Sequence, residues 1–518
     1  MLARVQSAAL VGVDAVPVDV EVDVSTGLPA FAIAGLADRS EQDAKERVRA
    51  AVKNSHREVP ARRIVVNLAP ADIRKEGAAF DLPIALGLLV ATGQLRRDAL
   101  DGDLVVGELA LDGRVRPVPG VLAVALLART SGVRRIVVPE GNAAEANAAG
   151  ATVLPVATLV EAIQVAEGQR PPRPAPAPRE EEDESADEVD FAEIKGQAHA
   201  RRALLVAAAG RHHALLVGPP GSGKTMLARR LPTILPPLST AEAVEVTKIH
   251  SVAGLIAPGA GLLRRRPFRA PHHTASRNAL VGGGPAPHPG EISLAHHGVL
   301  FLDELPEFHR DALEVLRQPL EEGTITIARV QGTMTLPARF TLLAAMNPCP
   351  CGYHGDPQRV CICTPPQLDR YRGRISGPLL DRIDLHVEVP RLDPLTLAAA
   401  PSGDESAVLR ALVAAAWRRQ AARYARGRIA GNAHLAGRAL RRHCLLDDAA
   451  AVFLGEALTR LHLSARAYDR VLRVARTIAD LDDAERITAA HIAEAIQYRA
   501  LDRPTAPPWS RAAVGRAP

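Results

Sequence analysis

Apolar and polar positions in the first part of the chain follow the periods of strands and helices in turn. Residues 16–24 alternate between the two classes, which predicts a half-buried strand. The same pattern predicts a second strand at Arg63–Asn67, helices at 40–55, 80–91 and 121–128, a hairpin over 104–115 and a strand at 135–138. Residues 1–165 are therefore predicted to form one mixed α+β domain.

Short, continuous apolar runs replace this alternation in the middle of the chain. Such runs are typical of strands that are buried on both faces, as in a parallel sheet. The runs lie at 214–217, 299–302 and 340–346. Further predictions here are a helix at 311–320 and an alternating hairpin over 324–336 with a tight turn. Residues 191–395 are predicted to form an α/β domain.

The last part of the chain has helical spacing. The helices predicted here cover residues 407–423, 449–461, 465–481 and 488–499. Residues 396–508 are therefore predicted to form an all-α domain. Two segments lack such a pattern. Residues 166–190 combine a proline-rich run with an acidic run and are predicted to be a disordered linker, and residues 509–518 a disordered tail.

Composition narrows the class of protein. The chain has 518 residues, enough for several domains, and only 3% are aromatic, so alanine, valine and leucine must build most of its cores. Five cysteines do not make a disulfide framework in a chain of this length. No apolar run reaches the roughly 18 residues of a membrane helix, and the start does not resemble a signal peptide. A cytoplasmic protein without membrane association is expected.

The strongest chemical signal is the sequence GPPGSGKT, which follows an apolar strand and precedes a predicted helix. Glycines let backbone N–H groups turn toward a triphosphate, and the helix N-terminus adds partial positive charge. The alternative is a glycine-rich turn without a ligand. The residues predicted to hold the nucleotide are Gly218, Pro219, Pro220, Gly221, Ser222, Gly223, Lys224 and Thr225.

Polar side chains follow two of the predicted buried strands. Asp303 and Glu304 end one strand, where one carboxylate can help hold Mg²⁺ and the other can polarise a water molecule. Asn347 ends another strand and could orient the attacking water, the alternative being an ordinary strand-ending asparagine. Thr225 supplies a hydroxyl ligand for the same Mg²⁺.

Several further motifs resemble those of the YifB/ComM family, bacterial AAA+ proteins related to the magnesium chelatase ATPase subunit. These motifs are Pro267–Thr274, Val281–Gly284, Pro289–Gly298, Met346–Gly352 and Ser376–Asp384. The resemblance covers the whole chain except the linker. It implies a Lon-protease-like N-terminal domain with a ribosomal-protein-S5-like fold, an AAA+ core with helix-2 and pre-sensor-1 insertions, and a helical lid domain.

The resemblance also implies roles for single residues. Lys224 and Thr225 match the Walker A pair, Asp303 and Glu304 the Walker B pair, and Asn347 resembles sensor 1. By the same resemblance, Arg382 enters the ATP site of a neighbouring subunit, Arg466 is the sensor-2 arginine, and Ile194–Gln197 lies at the adenine side. The alternatives are an intramolecular ion pair for Arg382 and a solvated helix position for Arg466.

Four cysteines follow Asn347 as two close pairs, Cys349 with Cys351 and Cys361 with Cys363. Two such pairs could fold onto one tetrahedral Zn²⁺, with His354 as a substitute ligand. Redox activity and buried, unligated thiols are the alternatives.

Basic residues in the two insertions are the candidates for DNA contact. They are Arg264, Arg265, Arg266, Arg269 and Arg277 in one insertion and Arg329 near the tip of the hairpin. Such residues could contact phosphates with little sequence preference if they line a pore. Solvated surface or subunit-interface charge is the alternative.

The function that the resemblance implies is an ATP- and Mg²⁺-dependent hexameric DNA helicase. It would drive branch migration in natural transformation and work with recombination proteins. One rival is a chelatase-type motor that remodels a partner enzyme. The other is a Lon-like peptidase, which lacks its chemistry: Ala79 stands where the nucleophilic serine is expected, and residues 111–121 contain no lysine.

Overall fold

The computed structural model describes most of the chain. The described residues are 1–36, 38–73, 75, 77–171, 173–174, 189–283, 288–329, 332–398, 404–425, 429–461 and 464–499. Most of the predicted linker and the whole predicted tail lie outside them. Within these residues, no helix has the length and apolar character needed to cross a membrane.

The N-terminal domain is a mixed sheet with helices packed against it. Its strands are β1 (Leu2–Val11), β2 (Asp14–Ser25), β3 (Ala30–Ala34), β4 (Arg63–Ala69), β5 (Asp103–Val105), β6 (Glu108–Leu109), β7 (Val115–Arg116), β8 (Arg135–Pro139) and β9 (Val153–Val156). Its helices are α1 (Asp38–Asn54), α2 (Asp81–Ala91), α3 (Val121–Thr130), α4 (Ala143–Ala148) and α5 (Leu159–Ala166). The main sheet has the order β3-β4-β2-β1-β5-β8-β9.

The hairpin predicted over residues 104–115 is correct only in its second part. Its first part, β5, pairs in parallel with β1 and β8 inside the main sheet. The chain then leaves the sheet at Gly107, whose N–H donates to Ala79 O at 2.9 Å. Only the short strands β6 and β7 pair with each other. The apolar residues at the start of the predicted hairpin therefore belong to a central strand of the sheet. Hydrophobic periodicity alone does not distinguish such a strand from one arm of a hairpin.

The central domain contains a parallel sheet, which confirms that prediction. Its elements are α6 (Ala198–Gly210), β10 (Ala214–Val217), α7 (Lys224–Arg230), α8 (Thr240–Val252), β11 (Phe268–Arg269), α9 (Arg277–Val281), β12 (Gly282–Gly283), β13 (His288–Pro289), α10 (Glu291–Leu294), β14 (Val299–Leu302), α11 (Arg310–Glu314), α12 (Arg317–Glu322), β15 (Thr324–Arg329), β16 (Gly332–Pro337), β17 (Thr341–Met346), α13 (Pro365–Arg372), α14 (Gly377–Leu380), β18 (Leu385–Glu388) and α15 (Pro394–Ala398). The parallel strands follow the order β11-β14-β17-β10-β18.

Side chains of each central strand alternate between two cores. Leu216 of β10 faces a core that includes the C-terminal helices, whereas Leu215 faces a core shared with the hairpin β15–β16. Burial on both faces explains the continuous apolar runs in the sequence. The C-terminal region is helical, as predicted, and consists of α16 (Ser406–Tyr424), α17 (Gly437–His443), α18 (Asp448–Leu461), α19 (Ala465–Leu481) and α20 (Ala489–Gln497).

The N-terminal domain contacts the central domain along α8 and the hairpin. Lys248 Nζ of α8 lies 2.7 Å from Asp14 Oδ1, and Gly120 N–H at the start of α3 donates to Ser251 O at 3.1 Å. Val13, in the turn between β1 and β2, shares an apolar core with residues of β15 and β16. The two domains therefore meet at α8 and at the hairpin β15–β16.

Candidate nucleotide site

At two positions of the loop between β10 and α7, the backbone has a conformation that only glycine adopts without strain. Gly221 has φ +77° and Gly223 has φ +91°, both in the left-handed region. Position 218 requires glycine for a different reason: a neighbouring chain segment passes so close that a Cβ there would lie 2.1 Å from Val389 O. The sequence therefore forms a tight loop that ends at the N-terminus of a helix.

Lys224 points back into this loop. Its Nζ donates hydrogen bonds to Gly218 O at 2.7 Å, to Pro219 O at 3.0 Å and to Asn347 Oδ1 at 3.2 Å. Burial lowers the pKa of Lys224 to about 8, although Asp303 and Glu304 oppose the shift. The ammonium group is thus held where a loop-bound anion would meet it.

Two oxygen ligands lie side by side at the edge of the loop. Thr225 Oγ1 donates to Asp303 Oδ2 at 2.7 Å, and the other carboxylate oxygen accepts from Glu304 N at 2.9 Å. A hydroxyl and a carboxylate at this spacing suit the hard, oxygen-preferring Mg²⁺. The donor set on the protein therefore fits a magnesium-bound triphosphate, which Thr225 and Asp303 would hold.

Glu304 contacts a histidine in the loop that follows the neighbouring strand. His273, which follows β11, places its Nδ1 3.0 Å from Glu304 Oε2. Glu304 itself has φ +52°, a left-handed backbone that is costly for a residue other than glycine. A cavity of about 250 Å³ opens here, lined by Thr225, Arg229, Ala270, Pro271, His272, His273, Phe301, Asp303 and Glu304.

The strand order explains why these groups meet. The phosphate loop follows β10, Asn347 follows β17 and Asp303 follows β14, and these three strands are adjacent in the sheet. All run in parallel, so their carboxyl ends lie at one edge, where ligands bind in open α/β sheets.

The residues predicted on the adenine side are buried. Gln197 Nε2 donates to Pro390 O at 2.6 Å and to Ser222 O at 3.4 Å. Gln197 therefore links the phosphate loop to the segment that follows β18. Ile194 is fully buried in the core shared with the C-terminal helices.

Arg382 and Arg466 pair with acidic residues of the same chain. Arg382 donates to Glu321 and retains 17% side-chain exposure. Arg466 Nη1 lies 2.8 Å from Asp381 Oδ2, and its side chain is 73% exposed. Within the single chain, these ion pairs hold both arginines on residues outside the phosphate loop.

The structure contradicts a DNA-contact role for Arg266. Its side chain is only 5% exposed, and it donates to Glu242 Oε2 at 2.9 Å and to His297 O at 2.7 Å. Its guanidinium also lies 4.7 Å from the ring centre of Trp417. Arg266 therefore joins the central domain to α16 and cannot reach a phosphate.

The other predicted DNA-contact residues differ in exposure. Arg269 is half-buried and makes a two-point ion pair with Glu291, at 2.6 and 2.8 Å. Arg264, Arg265 and Arg277 are exposed. Arg329 is the last residue of β15, and its side chain lies outside the described part of the structure.

Sequence reasoning missed His273 as a neighbour of Glu304, because His273 entered it as part of the motif Pro267–Thr274. The signal that could have placed it is the position of Phe268–Arg269, a two-residue edge strand that pairs in parallel with β14. The structure also brings the two predicted cysteine pairs next to each other. The sulfur atoms of Cys349, Cys351, Cys361 and Cys363 all lie within 4.8 Å of one another.

Three adjacent strands of the parallel sheet end in a phosphate loop, an acidic pair and a polar residue. This arrangement defines an ATPase of the AAA+ class. Family models match the chain in three parts: "Magnesium chelatase, subunit ChlI" at residues 190–397, "Subunit ChlI of Mg-chelatase" at 20–142, and "Magnesium chelatase, subunit ChlI C-terminal" at 403–499. The chain belongs to the magnesium chelatase ChlI family, among its YifB and ComM members.

Relatives of nearly the same length support this membership. The chain is 45% identical over 509 residues to "Uncharacterized protein YifB" of Escherichia coli, covering 97% of this chain and 98% of that protein. It is 46% identical over 511 residues to "Competence protein ComM" of Haemophilus influenzae, with the same coverage. The "Magnesium-chelatase 38 kDa subunit" of Cereibacter sphaeroides is 24% identical over 330 residues, which cover 58% of this chain and 88% of that protein. This family implies ATP and Mg²⁺ as ligands.

Proposed function

We propose that this protein is a cytoplasmic, ATP-driven DNA motor that acts as a hexameric ring and promotes branch migration during recombination, including natural transformation. ATP hydrolysis is supported by one observation: the ends of adjacent parallel strands bring four side chains together, those of Lys224, Asp303, Glu304 and Asn347. The DNA part is supported by a relative over the full length that is named for competence.

Each residue of the site has a role in this proposal. Lys224 would neutralise the outer phosphates of a bound ATP, and Thr225 and Asp303 would hold the Mg²⁺, which would offset developing charge. Glu304 accepts a proton from the attacking water, and Asn347 orients that water. Arg382 and Arg466 add positive charge when subunits assemble, after leaving their ion pairs with Glu321 and Asp381.

The exposed arginines Arg264, Arg265 and Arg277 contact the DNA backbone in this proposal. The segment that carries Arg264 and Arg265 follows α8, which packs against the N-terminal domain. Hydrolysis at the strand ends would then move the insertions relative to the N-terminal domain, which serves as a structural or recruiting module.

The proposal is tested by ATP hydrolysis measured with and without branched DNA, at increasing salt. Stimulation by DNA that declines with salt is expected, because phosphate contacts release counterions. Glu304→Gln should keep ATP binding and lose turnover by about 100-fold or more, whereas Lys224→Ala should lose binding. Turnover that persists in Glu304→Gln would contradict the assignment of Glu304.

A second candidate is a chelatase-type motor that remodels a partner protein. The match of the central domain to the magnesium chelatase subunit favours it. Equal hydrolysis rates with and without DNA, together with no movement of a labelled three-strand junction, would support this candidate and reject the DNA motor.

A further inference from the structure

Four cysteines after β17 place their sulfur atoms at nearly equal separations. Cys349 Sγ lies 3.3 Å from Cys351 Sγ and 3.7 Å from Cys361 Sγ, and Cys351 Sγ lies 3.6 Å from Cys361 Sγ. Cys363 completes a set whose ligand atoms all lie within 4.8 Å of one another. Four thiolates around one zinc ion, each with a Zn–S bond of about 2.3 Å, would be about 3.8 Å apart.

We propose that these four cysteines bind one structural Zn²⁺, which shapes the wall of the nucleotide site. The sulfur separations are far longer than the roughly 2.05 Å of a disulfide, and all four cysteines are free. They converge on one point, unlike isolated core thiols such as Cys444, which is buried in the C-terminal core. A closed set of four sulfur ligands is typical of structural zinc sites.

The loop around the cluster is built to hold it. Gly352 and Gly355 have φ +84° and +80°, so the chain turns sharply between the two cysteine pairs. The N–H of His354 donates to Cys349 Sγ at 3.3 Å. His354 therefore contributes its backbone, and the four sulfurs make up the ligand set. Backbone donors of this kind stabilise and orient thiolate ligands.

The cluster is joined to the nucleotide site on two sides. Cys349 follows Asn347 by two residues, and Asn347 Oδ1 accepts from Lys224 Nζ at 3.2 Å. Gly352 lies so close to the phosphate loop that a Cβ there would be 2.6 Å from Pro220 Cδ. A bound zinc ion fixes both Asn347 and the outer face of the loop, a link that rests on the proposed function of that loop.

The test of the metal site is zinc content, measured by elemental analysis of the full-length protein after dialysis. About one zinc ion per chain is expected, falling below about one tenth in Cys361→Ser/Cys363→Ser. Cys444→Ala is the matched control and should keep its zinc, because Cys444 lies outside the cluster. A wild-type protein that holds iron or no metal, or a double variant that keeps its zinc, overturns the proposal.

The test of the link is the affinity for a fluorescent ATP analogue. The double variant is expected to bind it about tenfold or more weakly than Cys444→Ala, at equal helix content by circular dichroism. Unchanged affinity after zinc loss overturns the link. If the wild-type protein binds zinc but no nucleotide, the proposed ATPase function fails while the zinc site stands.

Discussion

Glu304 and His273 are in contact across the candidate nucleotide site, with Glu304 Oε2 3.0 Å from His273 Nδ1. The carboxylate that the sequence places at the end of β14 is therefore already engaged by a neighbouring side chain. The contact places the imidazole of His273 against a carboxylate oxygen that an attacking water would also approach. His273 thus sets how available Glu304 is for water.

The first prediction concerns this pair. His273→Ala is expected to raise ATP turnover without DNA by about two- to tenfold, because the Glu304 carboxylate becomes free to act on water. His272→Ala is the matched control, since its ring centroid lies 4.1 Å from that of His273, with the rings tilted by 35°, and Glu304 makes its contact with His273. Lower turnover in His273→Ala, with ATP affinity unchanged, would instead make His273 a positioning residue.

The second prediction follows from the pKa of Lys224, which burial lowers to about 8 in the ligand-free protein. Binding of a triphosphate favours the charged ammonium, so a neutral lysine must take up a proton on binding. Below pH 8 this costs nothing, and above pH 8 affinity for ATP should fall by up to about tenfold per pH unit.

Titration calorimetry from pH 7.5 to 9.5 would measure this dependence. Lys224→Arg is the control, because arginine stays charged throughout that range. Its affinity should vary little with pH, whatever its absolute value. A wild-type affinity that is flat across the range would show that the lysine remains fully charged in the free protein.

The third prediction separates buried from exposed arginines. Arg266→Ala should destabilise the protein by about 1.5–3 kcal/mol, because Glu242 loses its 2.9 Å ion pair and keeps the longer one with Arg211 at 3.8 Å. The packing of the guanidinium on Trp417 is lost as well. Thermal unfolding would show this as a lower midpoint. An unchanged midpoint would mean that water replaces the guanidinium without cost.

Arg264→Ala and Arg277→Ala should change stability by less than about 0.5 kcal/mol, since both positions are exposed. On the proposed function, each should weaken DNA binding and reduce its dependence on salt concentration by about one ion. Fluorescence anisotropy with labelled DNA at several salt concentrations measures both effects. DNA affinity equal to wild type in the two variants would remove these residues from the interface.

Much of the fold was predictable because each pattern had a local cause. Continuous apolar runs predicted the buried strands, and polar residues at their ends predicted the edge where the site forms. The helix predicted at 311–320 was wrong in one respect, since the structure has two short helices, α11 and α12. Pro319 has no N–H to donate to Val315, and Leu316 N–H bonds to Leu313 O in a tighter turn.

The partners of the site residues could not be predicted, because they come from distant parts of the chain. Nothing near Arg266 in sequence indicates that Trp417 lies beneath it. The three consecutive arginines at 264–266 have the pattern of a surface patch. In the structure, however, Arg266 is buried and serves as a counter-ion for Glu242. Local periodicity carries no information about such pairings.

The last prediction concerns Arg382, which is tied to Glu321 in the single chain. If a neighbouring subunit receives this arginine at its ATP site, Arg382→Ala should bind ATP but lose turnover by about 10³-fold or more. Lys224→Ala should also be inactive, for lack of ATP binding. Mixing the two inactive proteins should restore part of the activity, because some interfaces then combine an intact phosphate loop with an intact arginine.

Glu321→Gln is the companion variant. It weakens the ion pair within the chain, so Arg382 is released at a smaller free-energy cost and turnover should reach its maximum at lower protein concentration. Mixed Arg382→Ala and Lys224→Ala proteins that stay inactive, although they co-assemble by light scattering, would exclude action between subunits. The ion pair with Glu321 would then be the whole role of Arg382.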